Sequence, residues 1–338
     1  MKEAYLYSRL EDNKVQCNLC SFRCKLADGK IGICGVRKNE GGTLYSMVYS
    51  KTIAKAIDPI EKKPLFHFLP SSKSFSIATV GCNFNCLHCQ NADISQYPKE
   101  HNGAIVGEDY PPERVVEDAI NAGCKSIAYT YTEPTIFFEY AIDTARIAKD
   151  KGLKNIFITN GYMTKEAIDL MDGLIDAANV DLKAFNDAFY MQICGGARLK
   201  PVLDSIEYMK SKGIWVEVTT LVIPTANDDP AEAMQIAEHI YNIDPSIPWH
   251  ISRFYPAYKF SDVMPTPVEV IKNFRQIGLS MGLKYVYTGN MPGDEGEHTY
   301  CPSCGELLIA RYGYEILSYT IKDGKCPKCG AKIDIVES

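Results

Sequence analysis

The sequence predicts an α/β chain: a partial (β/α)6-type TIM barrel over residues 59–290, a cysteine-rich metal-binding segment before it (1–58) and a zinc-ribbon- or rubredoxin-like domain after it (291–338). Three observations carry that expectation. Short β-rich runs alternate with longer helical patterns from residue 75 onward. Eleven of thirteen cysteines fall in three tight groups. The 338 residues hold one barrel-sized domain, which takes about 200–250 residues, with little left for a second full-sized core.

The β-rich runs are "FSIATV" (75–80), "SIAYTY" (126–131), "NIFITN" (155–160), "ANVDLKAF" (178–185), "WVEVTTLVI" (215–223) and "WHISRFY" (249–255), with "KYVYTGN" (284–290) as a candidate seventh. Between them lie helical patterns that open on Pro, Thr or Asp and close on Gly, the chemistry of helix starts and stops. Six or seven β-α units imply a parallel sheet with right-handed crossovers, and ligands then gather at the C-terminal strand ends. The stretch "DPIEKKPLFHFLP" (Asp58–Pro70) contains three prolines and reads as an extended connector.

Composition excludes several classes. Residues are 46% hydrophobic and 23% charged, a globular balance, and no run approaches the roughly 18 apolar residues of a membrane span. The charged N-terminus lacks the apolar core of a signal peptide, so a cytoplasmic location is expected. Net charge is −6, which argues against broad nucleic-acid binding, although residues 1–58 carry ten Lys/Arg against six Asp/Glu. Thirteen cysteines without a secretory signal point to metal or redox chemistry.

The C-terminal group, Cys301, Cys304, Cys326 and Cys329, forms two CPxCG knuckles. Four thiolates on two tight turns suit structural zinc, with a rubredoxin-type iron as alternative and His298 as a competing ligand. A 38-residue piece has too little core to stand without such a staple. The N-terminal group, Cys17, Cys20, Cys24 and Cys34, is spaced C-x2-C-x3-C-x9-C. It suits zinc, slightly preferred, or a second Fe–S cluster. The third group differs. Cys82, Cys86 and Cys89 lie on one loop after the first strand with no fourth partner, and an open coordination position distinguishes a reactive site from a closed one.

That C-x3-C-x2-C loop after the first strand of a β-α repeat resembles the signature of the radical S-adenosylmethionine (SAM) family. The resemblance implies a 4Fe–4S cluster on Cys82, Cys86 and Cys89, SAM on the fourth iron, and reductive cleavage to a 5′-deoxyadenosyl radical. It places His88 where the family has an aromatic near the adenine. Further positions resemble the pyruvate formate-lyase-activating branch. Glu133 of "YTEPT" matches a residue for the SAM amino group, with Tyr131-Thr132 replacing the usual glycines. Asn160 of "TNG" matches a strand-end motif whose leading acid is Ile158 here. Asp181 and Lys183 of "DLK" match SAM contacts, and Lys suits a carboxylate. Over nearly the whole chain the sequence is similar to the radical SAM member of the AmmeMemoRadiSam system.

The resemblance implies an oxidoreductase fed by a low-potential donor of flavodoxin or ferredoxin type, with a Memo-type or AMMECR-type protein as partner. A protein or peptide is the expected substrate. A small molecule or RNA base, and a non-catalytic metal-binding scaffold, are the alternatives. His250 and Arg253 are candidates to line the pocket, and Tyr255 and Tyr258 to shield a radical. Cys124 and Cys194 read as plain thiols, although the glycine loop around Cys194 leaves a substrate-side role open.

Overall fold

The computed structural model describes residues 1–337. Its centre is an eight-stranded sheet. The strands are β1 (Ala54–Pro59), β2 (Lys73–Ala78), β3 (Ser126–Tyr129), β4 (Lys154–Thr159), β5 (Ala177–Asp181), β6 (Trp215–Val222), β7 (Trp249–Arg253) and β8 (Val286–Gly289). From β2 to β8 every neighbouring pair is parallel and in chain order. β1 pairs antiparallel with β2 at the edge. Thus all seven β-rich runs are strands, and an eighth, β1, runs from Ala54 into the first two residues of the connector. The antiparallel strand escaped notice because its burial alternates, as on an edge half-open to water. It starts at Ala54, inside the segment set apart as 1–58.

Six helices cross between the parallel strands: α1 (Pro112–Asn121), α2 (Phe138–Asp150), α3 (Lys165–Met171), α4 (Leu199–Ser211), α5 (Pro230–Ile243) and α6 (Val268–Ser280). Their starts follow the local chemistry. Thr164 Oγ1 accepts from Ala167 N (3.2 Å) ahead of α3, and Asp229 Oδ1 accepts from Ala231 N (2.9 Å) ahead of α5. Gly123, Gly152, Gly213 and Gly282, all at positive φ, close α1, α2, α4 and α6. The helices lay Val115, Ile142, Ile206, Ile236 and Phe274 on the sheet, which joins one continuous core.

Two small units flank the sheet. Residues 2–46 form two three-stranded sheets, tied to the loop after β4 by Ser21 N donating to Tyr162 O (3.1 Å) and Thr164 Oγ1 donating to Asn18 O (2.8 Å). Buried Arg37 and Glu139 pair at 2.5 Å between this unit and α2. At the other end a three-stranded sheet (Thr299–Tyr300, Leu307–Tyr312, Glu315–Tyr319) carries the C-terminal cysteines. Its last segment returns to the connector, where Leu69 N donates to Val336 O and Val336 N to His67 O, each at 2.8 Å. No helix among the described residues is long and apolar enough to cross a membrane.

Candidate active site and metal centres

The C-terminal ends of the parallel strands surround a cavity with an unfilled volume of about 1630 Å³, its open mouth included. Cys82, Cys86, Cys89 and His88 enter from the loop after β2, and Glu133 from the loop after β3. Asn160 follows β4, while Asp181 and Lys183 end β5. All eight residues singled out for the cluster and SAM therefore border one space.

Lys183 Nζ donates to Asp181 Oδ2 at 2.7 Å. Burial opposes the ammonium, but Asp181 beside it holds the Lys183 pKa well above its ordinary value. Lys183 thus stays charged at the cavity wall. His88 is buried between Phe189 and Phe260, and burial, assisted by Lys183, lowers its pKa to about 3. Its ring is neutral, and Nδ1 has no partner.

Glu133 has a second task that the motif alone does not reveal. Its Oε1 accepts from Thr135 N (3.0 Å), Thr135 Oγ1 (2.5 Å) and Thr159 Oγ1 (2.7 Å), capping a short 3-10 turn at Pro134–Phe137. Only Oε2, which accepts from Asn160 N at 2.7 Å, keeps acceptor capacity for a ligand. Asn160 Nδ2 donates to Asn83 Oδ1 (2.7 Å), tying β4 to the cysteine loop. Tyr131 replaces a family glycine yet keeps a positive φ of 63°. Its hydroxyl donates to Asp58 Oδ2 at 2.5 Å, which holds this strained conformation in place.

That anchor exposes residues that sequence reasoning missed. Asp58 at the end of β1 accepts from Lys62 (2.9 Å) and buried Lys63 (2.6 Å), and both lysines border the cavity. Burial pulls the Lys63 pKa down to about 8, against the pull of Asp58. The signal was present as an acid and two lysines four and five residues apart, obscured by the prolines around them. Tyr314, from the turn of the C-terminal hairpin, also lines the cavity.

Five candidates lie elsewhere. His250 does not line the cavity: its Nε2 meets Glu217 Oε2 at 2.7 Å in the interior, and its ring stacks on Tyr287. His250 and Ser252 are two apart on β7 and so share a face, but only Ser252, nearer the strand's C-terminal end, reaches the cavity. Arg253 Nε donates to Thr266 O (2.7 Å), Tyr255 OH to Asn290 O (3.3 Å) and Tyr258 OH to Glu100 Oε1 (2.7 Å); none borders the space. Cys194 is fully buried behind the cluster loop, where its carbonyl accepts from Asn85 N at 3.0 Å. It braces that loop and does not face the cavity.

The C-terminal cysteines come together. Cys301 and Cys329 Sγ are 3.6 Å apart, and Cys304 and Cys326 Sγ 3.7 Å. Thiolates placed tetrahedrally around one ion at about 2.3 Å stand about 3.8 Å from each other. His298 is not among them, since its Nδ1 accepts from Arg311 N at 3.1 Å. Among the described residues this is the only set of three or more metal-binding side chains whose ligand atoms all lie within 4.8 Å. Cys82, Cys86 and Cys89 stand wider, so they do not form a single-ion site.

The comparisons agree with this geometry. The family model of the Radical SAM superfamily matches residues 76–237, from β2 into α5. An uncharacterized protein of Methanocaldococcus jannaschii is 46% identical over 99% of this chain and 100% of its own length. A candidate glycyl-radical enzyme activating enzyme of the same organism is 28% identical, over 56% of this chain and 71% of its own. A radical SAM methyltransferase structure from Sphaerobacter thermophilus shares the fold with a TM-score of 0.51 at 17% identity, over 68% of this chain and 71% of that one. Residues 76–237 of the chain belong to the Radical SAM superfamily.

Proposed function

We propose that this protein is a radical SAM enzyme of the activating type, acting on a protein or peptide. The observation that supports it most is the cavity itself. Three thiols without a fourth protein ligand share it with an ion pair, Asp181–Lys183, suited to the charged ends of an amino acid. The residues fit the family's cofactors. The thiols are spread too widely for one ion, and a buried neutral imidazole with an unpartnered nitrogen stands beside them. When bound, the 4Fe–4S cluster supplies the electron that cleaves SAM to the 5′-deoxyadenosyl radical. Cys82, Cys86 and Cys89 hold it. Lys183 would bind the SAM carboxylate, while Asp181 and Glu133 Oε2 would receive the ammonium. His88, uncharged, would offer its ring to the adenine, and Asn160 fixes the cysteine loop relative to β4. The buried strand ends wall the inner side of the cavity, while its mouth stays open.

A macromolecular substrate is favoured by the mouth. Tyr314 stands there half exposed, and its hairpin presents Tyr312 and Leu317, 57% and 61% exposed. An exposed apolar hairpin whose turn residue Tyr314 borders the cavity suits a peptide chain. In the same reading the sheet is the partial (β/α)6-type barrel, zinc occupies Cys301, Cys304, Cys326 and Cys329, and the enzyme is cytoplasmic. A flavodoxin- or ferredoxin-type donor feeds it, and a Memo-type or AMMECR-type protein of the AmmeMemoRadiSam system is its partner. Anaerobic reconstitution tests the core of this. Wild type with SAM and a low-potential reductant is expected to release 5′-deoxyadenosine, and Cys86→Ala to release none. An intact cluster that yields none, even with candidate partners present, overturns the reading. With deuterated candidate proteins, label should appear in 5′-deoxyadenosine; label arriving only from a small molecule or RNA base overturns the substrate class.

A further inference from the structure

The N-terminal cysteines do not gather as the C-terminal ones do. No three of the sulfurs of Cys17, Cys20, Cys24 and Cys34 lie within 4.8 Å of one another. Instead all four line one small, largely enclosed recess. The molecule provides its own scale for this difference. The C-terminal knuckles sit at single-ion spacing, whereas neither the cluster-binding triplet nor the N-terminal set brings three sulfurs within 4.8 Å of one another. A cube of four irons and four sulfides spaces its thiolates further apart than one zinc does and needs room between them.

The walls fit such a guest. Leu19, Phe22, Leu26 and Ile33 make most of the recess apolar, the dry surrounding that tunes a cluster's potential. Two buried donors at its edge have no partner. Arg37 is 2% exposed with Nε unsatisfied, and Asn83 is 1% exposed with Nδ2 unsatisfied. Buried polar hydrogens without acceptors are costly, and cluster sulfurs accept such bonds.

The recess also adjoins the active site. Asn83 lines it and follows Cys82, whose Sγ is 3.7 Å from Asn83 Oδ1. A Cβ on Gly81 would stand 3.0 Å from the carbonyl of Cys34, so the two cysteine loops are in direct backbone contact.

We propose that Cys17, Cys20, Cys24 and Cys34 bind a second 4Fe–4S cluster, closed by four thiolates, that relays electrons to the cluster on Cys82, Cys86 and Cys89. The proposal rests on the radical SAM reading for its destination, but not for the site itself. One electron from a flavodoxin- or ferredoxin-type donor reduces the outer cluster, which is reoxidised as that electron passes inward; no bond breaks and no atom moves. The net +4 of residues 1–58 favours an acidic donor at this face. The slight preference for zinc drawn from spacing is thereby reversed.

The test uses full-length protein reconstituted anaerobically with iron and sulfide. Wild type should hold about eight irons and one zinc. The triple variant Cys82→Ala/Cys86→Ala/Cys89→Ala should keep about four irons, with a 4Fe–4S Mössbauer spectrum and a reduced-state EPR signal unchanged by SAM. Two zincs and no iron in that variant overturn the second cluster. If the variant fails to fold, the wild-type count decides, since about four irons and two zincs there overturn it equally. Failure of the radical SAM reading looks different: eight irons in wild type, none of them SAM-responsive. Rapid freeze-quench EPR of wild type mixed with a reduced ferredoxin-type donor should show the SAM-insensitive signal first. The SAM-responsive signal rising while the other stays silent overturns the relay.

Discussion

At the scale of single residues, buried charges join the N-terminal unit to the sheet. Glu139 accepts from Arg37 Nη1 (3.1 Å) and Nη2 (2.5 Å) and from the backbone of Tyr5 (2.9 Å), with neither charged side chain more than 3% exposed. Removing one member strands the other's charge in a dry interior, which costs about 3–5 kcal/mol. Glu139→Ala should therefore lower the urea midpoint sharply, and a loss below about 1 kcal/mol would contradict the account. Lys183 is a different case, because its partner Asp181 is 38% exposed and can be hydrated when left alone. Lys183→Met is expected to leave iron content and folding intact while weakening SAM binding at least about tenfold, the size of a charge-assisted bond of about 1.5–3 kcal/mol. Calorimetric titration with SAM measures it.

Among the elements, β6 and β8 and the connector are locked by a polar chain. Glu217 of β6 accepts from the backbone of Phe66 (3.0 Å) and His67 (2.9 Å) and from Trp215 and His250. His67 Nδ1 donates to Asp334 O (2.6 Å), which leaves Nε2 to accept from Tyr287 OH (2.5 Å). That tautomer follows from the backbone carbonyl, which can only accept. Burial lowers the His67 pKa to about 4, so the folded ring stays neutral where the unfolded one, at about 6.5, is protonated. Its contribution is therefore whole above about pH 6.5 and declines as pH falls toward about 4. At pH 5 the loss is roughly 2 kcal/mol. Urea melts of wild type at pH 7.5 and 5 should differ by at least this share, and the difference should shrink in His67→Gln.

Across the molecule, the sheet was legible because its strands are short β-rich runs, mostly buried, set off by helical patterns with clear start and stop residues. β1 was not, since an edge strand alternates and ends in a proline-rich stretch. The cysteine loop and the strand-end motifs were legible because chemistry there demands particular side chains. The roles of Lys63, Tyr131 and Tyr314 depend on chain segments that meet only in space. His250 misled for the opposite reason: its type suggests a site, but its depth along β7 sets it below the cavity, against Glu217. Metal should be separable by region. Chelating zinc from the proposed C-terminal site, or Cys301→Ala, is expected to raise amide exchange over residues 299–337 while the central sheet stays protected, since a piece that small has little core of its own. Uniform exchange across the chain would show that the ribbon and sheet unfold as one.

The pairing of Val336 with the His67–Leu69 connector carries a consequence for the order of folding. The hydrogen bond between His67 and Asp334 spans 267 residues, so it closes only after nearly every other contact has had time to form. Lys62, Lys63 and Pro64, which wall the cavity, lie just upstream of that late closure. Until residues 334–336 leave the ribosome, the connector is held by Asp58 and Glu217 but lacks its pairing with Asp334 and Val336. A chain stopped after Ile333 should fold its sheet yet be cut by trypsin at Lys62–Lys63, and protection there equal to that of the full chain would remove the latch from the account.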